Sequence, residues 1–154
     1  NISKWRRPAP NTIPWDTKAS GLYMICTLSK HEAERQGYAD SLMLDHVGNI
    51  AEATGANIFF KDKFGALHTP VPDSFLDGIT RRCAIEIAKS KGIKIIERKI
   101  KPDEMSNFVG CFLTGTAAEI TPVSKIDKFS FEVCELIKDL SESYQNLVRK
   151  KAAA

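Results

Sequence analysis

The stretch Phe112-Leu-Thr-Gly-Thr-Ala-Ala-Glu-Ile-Thr-Pro-Val123 constrains this chain most. An apolar run enters a Gly-Thr-Ala-Ala turn and leaves through a second β-rich run, so Val109 to Leu113 and Glu119 to Ile126 read as two strands around a turn. Gly115 lets the backbone approach a partner closely, and Thr116 adds a hydroxyl beside free amides. Such a turn suits an anion, either a phosphate or a carboxylate.

The rest of the chain punctuates itself in the same way. Gly21 to Gln36 reads as a helix with Leu22, Met24, Ile25, Leu28 and Ala33 on its apolar face, stopped by Gly37. Ser41 to Leu44 and the run from Ile50 flank Asp45-His-Val-Gly-Asn49, a strand–turn–strand. Asn57 to Lys61 and Ala66 to Thr69 flank Asp62-Lys-Phe-Gly65, a second hairpin. Ile79 to Lys91 places Ile79, Cys83, Ala84, Ile87 and Ala88 on one helical face, and Gly92 ends it. Ile93 to Lys99 alternates as a strand. Phe131 to Val148 is an amphipathic helix, with Val133, Leu136, Ile137, Leu140, Tyr144, Leu147 and Val148 at helical spacing. Mixed helices and strands without an internal repeat give an α/β or α+β class. Residues 1–17, with Pro8, Pro10 and Pro14, read as an extended lead-in or interdomain linker, and residues 18–151 as a domain.

Bulk properties exclude some functions. A net charge of +3 over 154 residues is too small for a nucleic-acid footprint. The densest basic clusters, Arg6-Arg7 and Arg149-Lys150-Lys151, read as solvated ends. No run approaches membrane-span length and no signal peptide is visible, so neither a membrane partner nor secretion is expected. Cys26, Cys83, Cys111 and Cys134 form no CxxC pair, which argues against zinc and for free thiols in a cytoplasmic setting. His31-Glu-Ala-Glu-Arg35 lacks the second histidine of HExxH, and His46 and His68 have no partner at metal-ligand spacing, so no metal is expected.

Four segments carry chemistry: Lys18-Ala-Ser-Gly-Leu-Tyr23, Glu52-Ala-Thr-Gly-Ala-Asn-Ile-Phe59, Leu76-Asp-Gly-Ile-Thr-Arg81 and Gly115-Thr-Ala-Ala-Glu119. Taken singly each has an ordinary reading. Lys18, one of fifteen lysines, reads as a surface charge; Glu52, short of neighbouring charge, as a strand-end glutamate facing solvent; Tyr23 as a half-buried core tyrosine; and Gly78-Ile79-Thr80 as a helix start with no ligand. In this order and spacing they closely resemble the branched-chain amino-acid aminotransferases, class IV pyridoxal-phosphate enzymes of the D-amino-acid aminotransferase-like fold. The resemblance runs from Trp5-Arg-Arg-Pro8 to about Asp127.

The resemblance implies mixed sheets in a pseudo-barrel with flanking helices, and pyridoxal 5'-phosphate as cofactor. Lys18 would form the Schiff base and then shuttle a proton as general base and acid. Glu52 would hold the pyridine nitrogen protonated. Tyr23 would lie near the ring hydroxyl, and Leu76 would pack against the ring. Gly78, Ile79 and Thr80 would offer helix amides to the phosphate, with hydroxyls from Thr80 and Thr116. Thr116 and Ala117 would recognise a substrate carboxylate. The implied reaction moves an amino group between leucine, isoleucine or valine and 2-oxoglutarate, so the partners are amino-acid and 2-oxo-acid substrates. A complete member is a homodimer or larger, and carries an N-terminal domain that contributes an arginine to the phosphate. That domain is absent from these residues, so the chain reads as the C-terminal, cofactor-bearing half. The alternative is a catalytically silent domain or subunit that binds cofactor or a partner chain but needs an N-terminal domain for activity.

Overall fold

The computed structural model describes residues 1–149. The end of the expected domain at Lys151 and the last two residues of the second basic cluster lie outside the described residues.

Two hairpins form for one local reason. In the turn between β2 (Leu42–Leu44) and β3 (Ile50–Ala53), Asp45 Oδ1 accepts the amides of Val47 and Asn49 at 3.0 and 2.8 Å. Between β4 (Asn57–Asp62) and β5 (Leu67–Thr69), Asp62 Oδ1 accepts the amides of Phe64 and Ala66, both at 2.9 Å. Each turn then needs a left-handed residue, supplied by Gly48 and Gly65 at φ +92° and +90°. The helices stop as expected. Gly37 and Gly92, at φ +81° and +72°, follow α1 (Met24–Arg35) and α2 (Ile79–Ser90).

The strands form mixed sheets. β1 (Ile2–Arg6) pairs parallel with β2, which pairs antiparallel with β3. A second sheet has the order β6-β5-β4-β7-β8, with β6 (Ile95–Glu97), β7 (Phe108–Gly115) and β8 (Glu119–Pro122). β9 (Lys125–Ile126) and β10 (Phe129–Ser130) form a small separate ribbon.

Two cores follow from strand alternation. Ile58 and Phe60 face the three-stranded sheet, packing with Leu42, Leu44 and Ile50. Phe59, between them, turns the other way and stacks on Phe112 with ring centroids 4.8 Å apart. A register shift opposite Lys61 and Asp62 leaves Val109 as an extra residue in β7. The bulge puts Phe108 and Cys111, three positions apart, in the same core. On the second face α2 and α3 (Glu135–Val148) cover Phe59 and Phe112 with Ala84, Ala88, Ile137 and Leu140. Truncating either stacked phenylalanine to alanine should cost about 3–5 kcal/mol.

Several expectations need correction. Within the expected lead-in or linker, residues 2–6 are a strand paired with β2, whose residues lie about forty positions away. α1 buries Cys26, Ser29 and Ala33, with Leu22 buried in the turn before it, whereas Met24 and Leu28 are exposed. Its small residues let it sit close to β1, so the larger apolar ones face outward. Of the expected face of α2, Ala84 and Ala88 are buried and Cys83 and Ile87 partly so, but Ile79 is 73% exposed, and Thr80, Arg81 and Ile85 are buried as well. α3 begins only at Glu135, with Phe131 already buried in the sheet core before it. The four cysteines are free, and no described helix is long and apolar enough to cross a membrane.

Candidate cofactor site

The chain crosses from one sheet to the other at Thr54-Gly55-Ala56, between β3 and β4. The end of β7 lies against this crossing. A Cβ on Gly115 would stand 3.3 Å from Gly55 O and 3.4 Å from the Ala56 Cβ. The close approach that Gly115 permits is therefore to the chain's own backbone. It brings the exposed turn at Thr116 to the same place as Glu52, and the N-terminus of α2 arrives from a third side.

Lys18, Tyr23, Glu52, Leu76, Gly78, Ile79, Thr80 and Thr116 together line one cavity of about 320 Å³. Ala117 lies next to Thr116 on the exposed turn, outside this lining. Lys18 ends the loop after Pro14 and is exposed, just before the turn Ser20–Leu22 that leads into α1. Tyr23 stands at the N-cap of α1. Burial raises its phenol pKa, helped by negative charge at Glu52 and Cys26 and opposed by Arg7.

Glu52 is buried in β3, at 9% exposure. It is not short of neighbouring charge, as its sequence context suggests. Arg7, 4% exposed, places Nε 3.3 Å from Glu52 Oε1. Burial nevertheless dominates and pushes the carboxyl up to about 8, with the guanidinium pulling the other way. The reading of Arg6-Arg7 as a solvated pair holds for Arg6, which is exposed, and fails for Arg7. Neighbouring strand residues point to opposite sides, and Arg7 turns inward past the end of β1. There it donates from Nη1 to Leu22 O and Cys26 Sγ at 3.1 and 3.3 Å, and from Nε to Ser74 O at 3.4 Å.

The anion end is the start of α2. Gly78 is its N-cap, with extended backbone at φ −66°, ψ 145° and no capping side chain of its own. Its amide donates to Asn57 Oδ1 at 3.1 Å, so of the three expected donors only Ile79 and Thr80 keep their amides for a ligand. The Thr80 hydroxyl, expected to point at an anion, is buried and meets the Tyr144 hydroxyl of α3 at 3.3 Å. Arg81 braces the same turn from below. Its fully buried guanidinium reaches Asp77 Oδ1, Glu97 Oε2 and Pro70 O at 2.8, 2.6 and 3.1 Å.

Arg7, Asn57, Arg81 and Tyr144 thus support the site, although sequence reasoning gives none of them a role in it. Asn57 and Arg81 already stand inside two of the quoted segments. For Arg7 the sequence offers no signal beyond a second arginine next to Arg6, and for Tyr144 there is a hydroxyl on an otherwise apolar helix face. His68, without a metal-ligand partner in the sequence, belongs to a separate structural network with Asp62 Oδ2 at 3.0 Å and Arg98 Nε at 3.2 Å.

The cavity therefore offers an exposed amine, a buried carboxyl with a cationic partner, a half-buried leucine, and helix amides carrying the positive end of a dipole. That set suits a flat heteroaromatic ring with a basic nitrogen at one end and an anion at the other.

Comparison with known proteins agrees. Residues 1–126 match the family model described as amino-transferase class IV. A Rickettsia conorii protein named "Probable branched-chain-amino-acid aminotransferase" is 42% identical, over 97% of this chain and 53% of its own length. The Escherichia coli branched-chain-amino-acid aminotransferase is 43% identical over 82% of this chain and 41% of its own. A branched-chain amino acid aminotransferase of the source abbreviated T.th., solved with N-(5'-phosphopyridoxyl)-L-glutamate, superposes with a TM-score of 0.93 at 34% identity. The match covers 98% of this chain and 52% of the solved one. The chain spans about half the length of these relatives.

Proposed function

The chain belongs to the class IV aminotransferases, and we propose that it is the pyridoxal-phosphate-binding half of an enzyme acting on branched-chain L-amino acids and 2-oxoglutarate. The observation that carries this reading is one cavity holding Lys18, a buried Glu52 and the open amides of α2. The phosphopyridoxyl-glutamate bound by the solved relative supports both the cofactor and glutamate as the amino-group partner.

Bound pyridoxal phosphate supplies an electron sink for charge developing at the substrate Cα. Every other part belongs to this chain. Lys18 would hold the cofactor through its amine and would serve as the base and acid for the Cα proton. Lys18 is exposed, so its amine would have room to move at the mouth of the cavity. Glu52 holds the proton of the ring nitrogen, and Arg7 favours its charged form and fixes one of its oxygens. Leu76 packs against the ring. The amides of Ile79 and Thr80, with the hydroxyl of Thr116, hold the phosphate. Thr116 and Ala117 face the substrate carboxylate.

The domain reading holds residues 18–151 as the cofactor domain, with β1 and Arg7 contributing to it. A complete protein would be a dimer or larger. Adding pyridoxal phosphate to the chain should produce a visible band of lysine-linked cofactor, absent in Lys18→Ala. A band unchanged in that variant would overturn the role of Lys18. A band without transamination, restored by adding an N-terminal half, would favour the second reading, in which this chain alone is silent. That reading draws on the half-length coverage.

A further inference from the structure

We propose that Asn57 is a positioning residue, one side chain that ties the carboxylate end of the cavity to the helix amides at its anion end. The inference rests on the cofactor reading given above and goes beyond it, because no role in that reading falls to Asn57.

Asn57 opens β4, the central strand of the five-stranded sheet, and is 5% exposed. It sits across from Thr114 of β7, and the next residues, Ile58 to Phe60, are locked in both cores. Its position is therefore set by the most rigid part of the molecule. From there its amide reaches three groups. Oδ1 accepts the Gly78 amide at 3.1 Å, and Nδ2 donates to Leu76 O at 2.9 Å. The same nitrogen lies 3.5 Å from Glu52 Oε2, the oxygen that Arg7 leaves free. A planar amide with one acceptor and two donors fits this set of partners, and few other side chains of its length do.

Gly78 shows how close the approach is. A Cβ there would lie 2.5 Å from Asn57 Oδ1, far inside contact distance. Glycine at this cap is thus required by Asn57 and not by a turn, since its φ is ordinary. Capping Gly78 from the sheet fixes the direction of the next two amides, Ile79 and Thr80. The same side chain limits how far Glu52 can move. The spacing between ring partner and phosphate donors is in this way referred to a single buried amide.

The test compares the chain with Asn57→Ala and Asn57→Asp. Dissociation constants for pyridoxal 5'-phosphate and for phosphate-free pyridoxal are read from the visible band, and amide exchange is followed at Gly78 and Phe59. Asn57→Ala should weaken the phosphorylated ligand about tenfold, the scale of one or two neutral hydrogen bonds. Pyridoxal should weaken only about twofold, so the advantage given by the phosphate shrinks about fivefold. Exchange at Gly78 should accelerate about five- to tenfold while Phe59 is unchanged. Asn57→Asp keeps the acceptor for Gly78 and should keep its protection, but it loses both donors and weakens the two ligands alike. A phosphate advantage in Asn57→Ala equal to that of the parent chain would overturn the inference alone. So would equal acceleration at Gly78 and Phe59, which marks a general loss of stability. A parent chain that binds neither ligand would overturn the cofactor reading and this inference with it.

Discussion

The two walls of the cavity are built differently. The wall made by Arg7, Glu52 and Asn57 is 4–9% exposed, and its polar groups are braced against one another and against Leu22, Leu76 and Gly78. The wall made by Lys18 and Thr116 is exposed, and among the described residues neither has a side-chain hydrogen-bond partner. The first wall folds with the domain and is ordered by it. On the cofactor reading proposed above, the second would be the wall that reacts and receives a substrate. Changes to the braced wall should therefore alter stability and binding together, and changes to the open wall should alter binding alone.

The largest separation is expected at Lys18. Lys18→Ala should abolish the visible band while shifting unfolding stability by no more than about 0.5 kcal/mol, read by denaturant titration. Next comes Arg7→Met, which strips Glu52 of its partner. The buried carbonyls of Leu22 and Ser74 also lose their donor, which should cost about 1–3 kcal/mol, and the same titration should show it even without cofactor. Equal stability of Arg7→Met and the parent chain would break the contrast between the walls.

A pH dependence sharpens it. In the folded chain the Glu52 carboxyl is pushed up to about 8, while unfolding returns it towards the ordinary 4.5. Between those values the folded state binds the extra proton, so this contribution is fully present below about 4.5 and is lost as pH rises towards 8. The cofactor-free chain should show a melting temperature that falls from pH 5 to pH 8, and Glu52→Gln should flatten the fall. Asp45, Asp62 and Glu104 shift the opposite way, held low by their hydrogen bonds and cationic neighbours against the pull of burial, so their losses come only on further acidification. Thr116→Ala is the smallest effect. It should weaken cofactor about fivefold by absorbance titration, with no change in melting.

What the sequence revealed follows the same division. The turns at Asp45–Asn49 and Asp62–Gly65 and the stops at Gly37 and Gly92 are decided within a few residues, so they were legible. The four segments stood out only through their order and spacing, since each taken singly has an ordinary reading, and the fold brings residues from all four around one cavity. β1 was not legible, since Ile-Ser-Lys-Trp-Arg has no strand signal until β2 lies beside it. The buried face of α1 was misread because close packing selected Cys26, Ser29 and Ala33 over the larger Met24 and Leu28. Arg7 and Asn57 were missed for a related reason. Their importance comes from what they touch, and Glu52 and Gly78 become their neighbours only after the chain has crossed between sheets.

The most direct test of the central claim is reductive trapping. The chain is treated with pyridoxal phosphate, reduced with borohydride, digested, and mapped by peptide mass. With fifteen lysines in the sequence, most of them exposed, a nonspecific aldehyde would label many. The site described above predicts a single dominant label on Lys18, suppressed when Glu52 or Asn57 is replaced. Label spread over surface lysines such as Lys63 and Lys128, with Lys18 no more modified than they are, would contradict it.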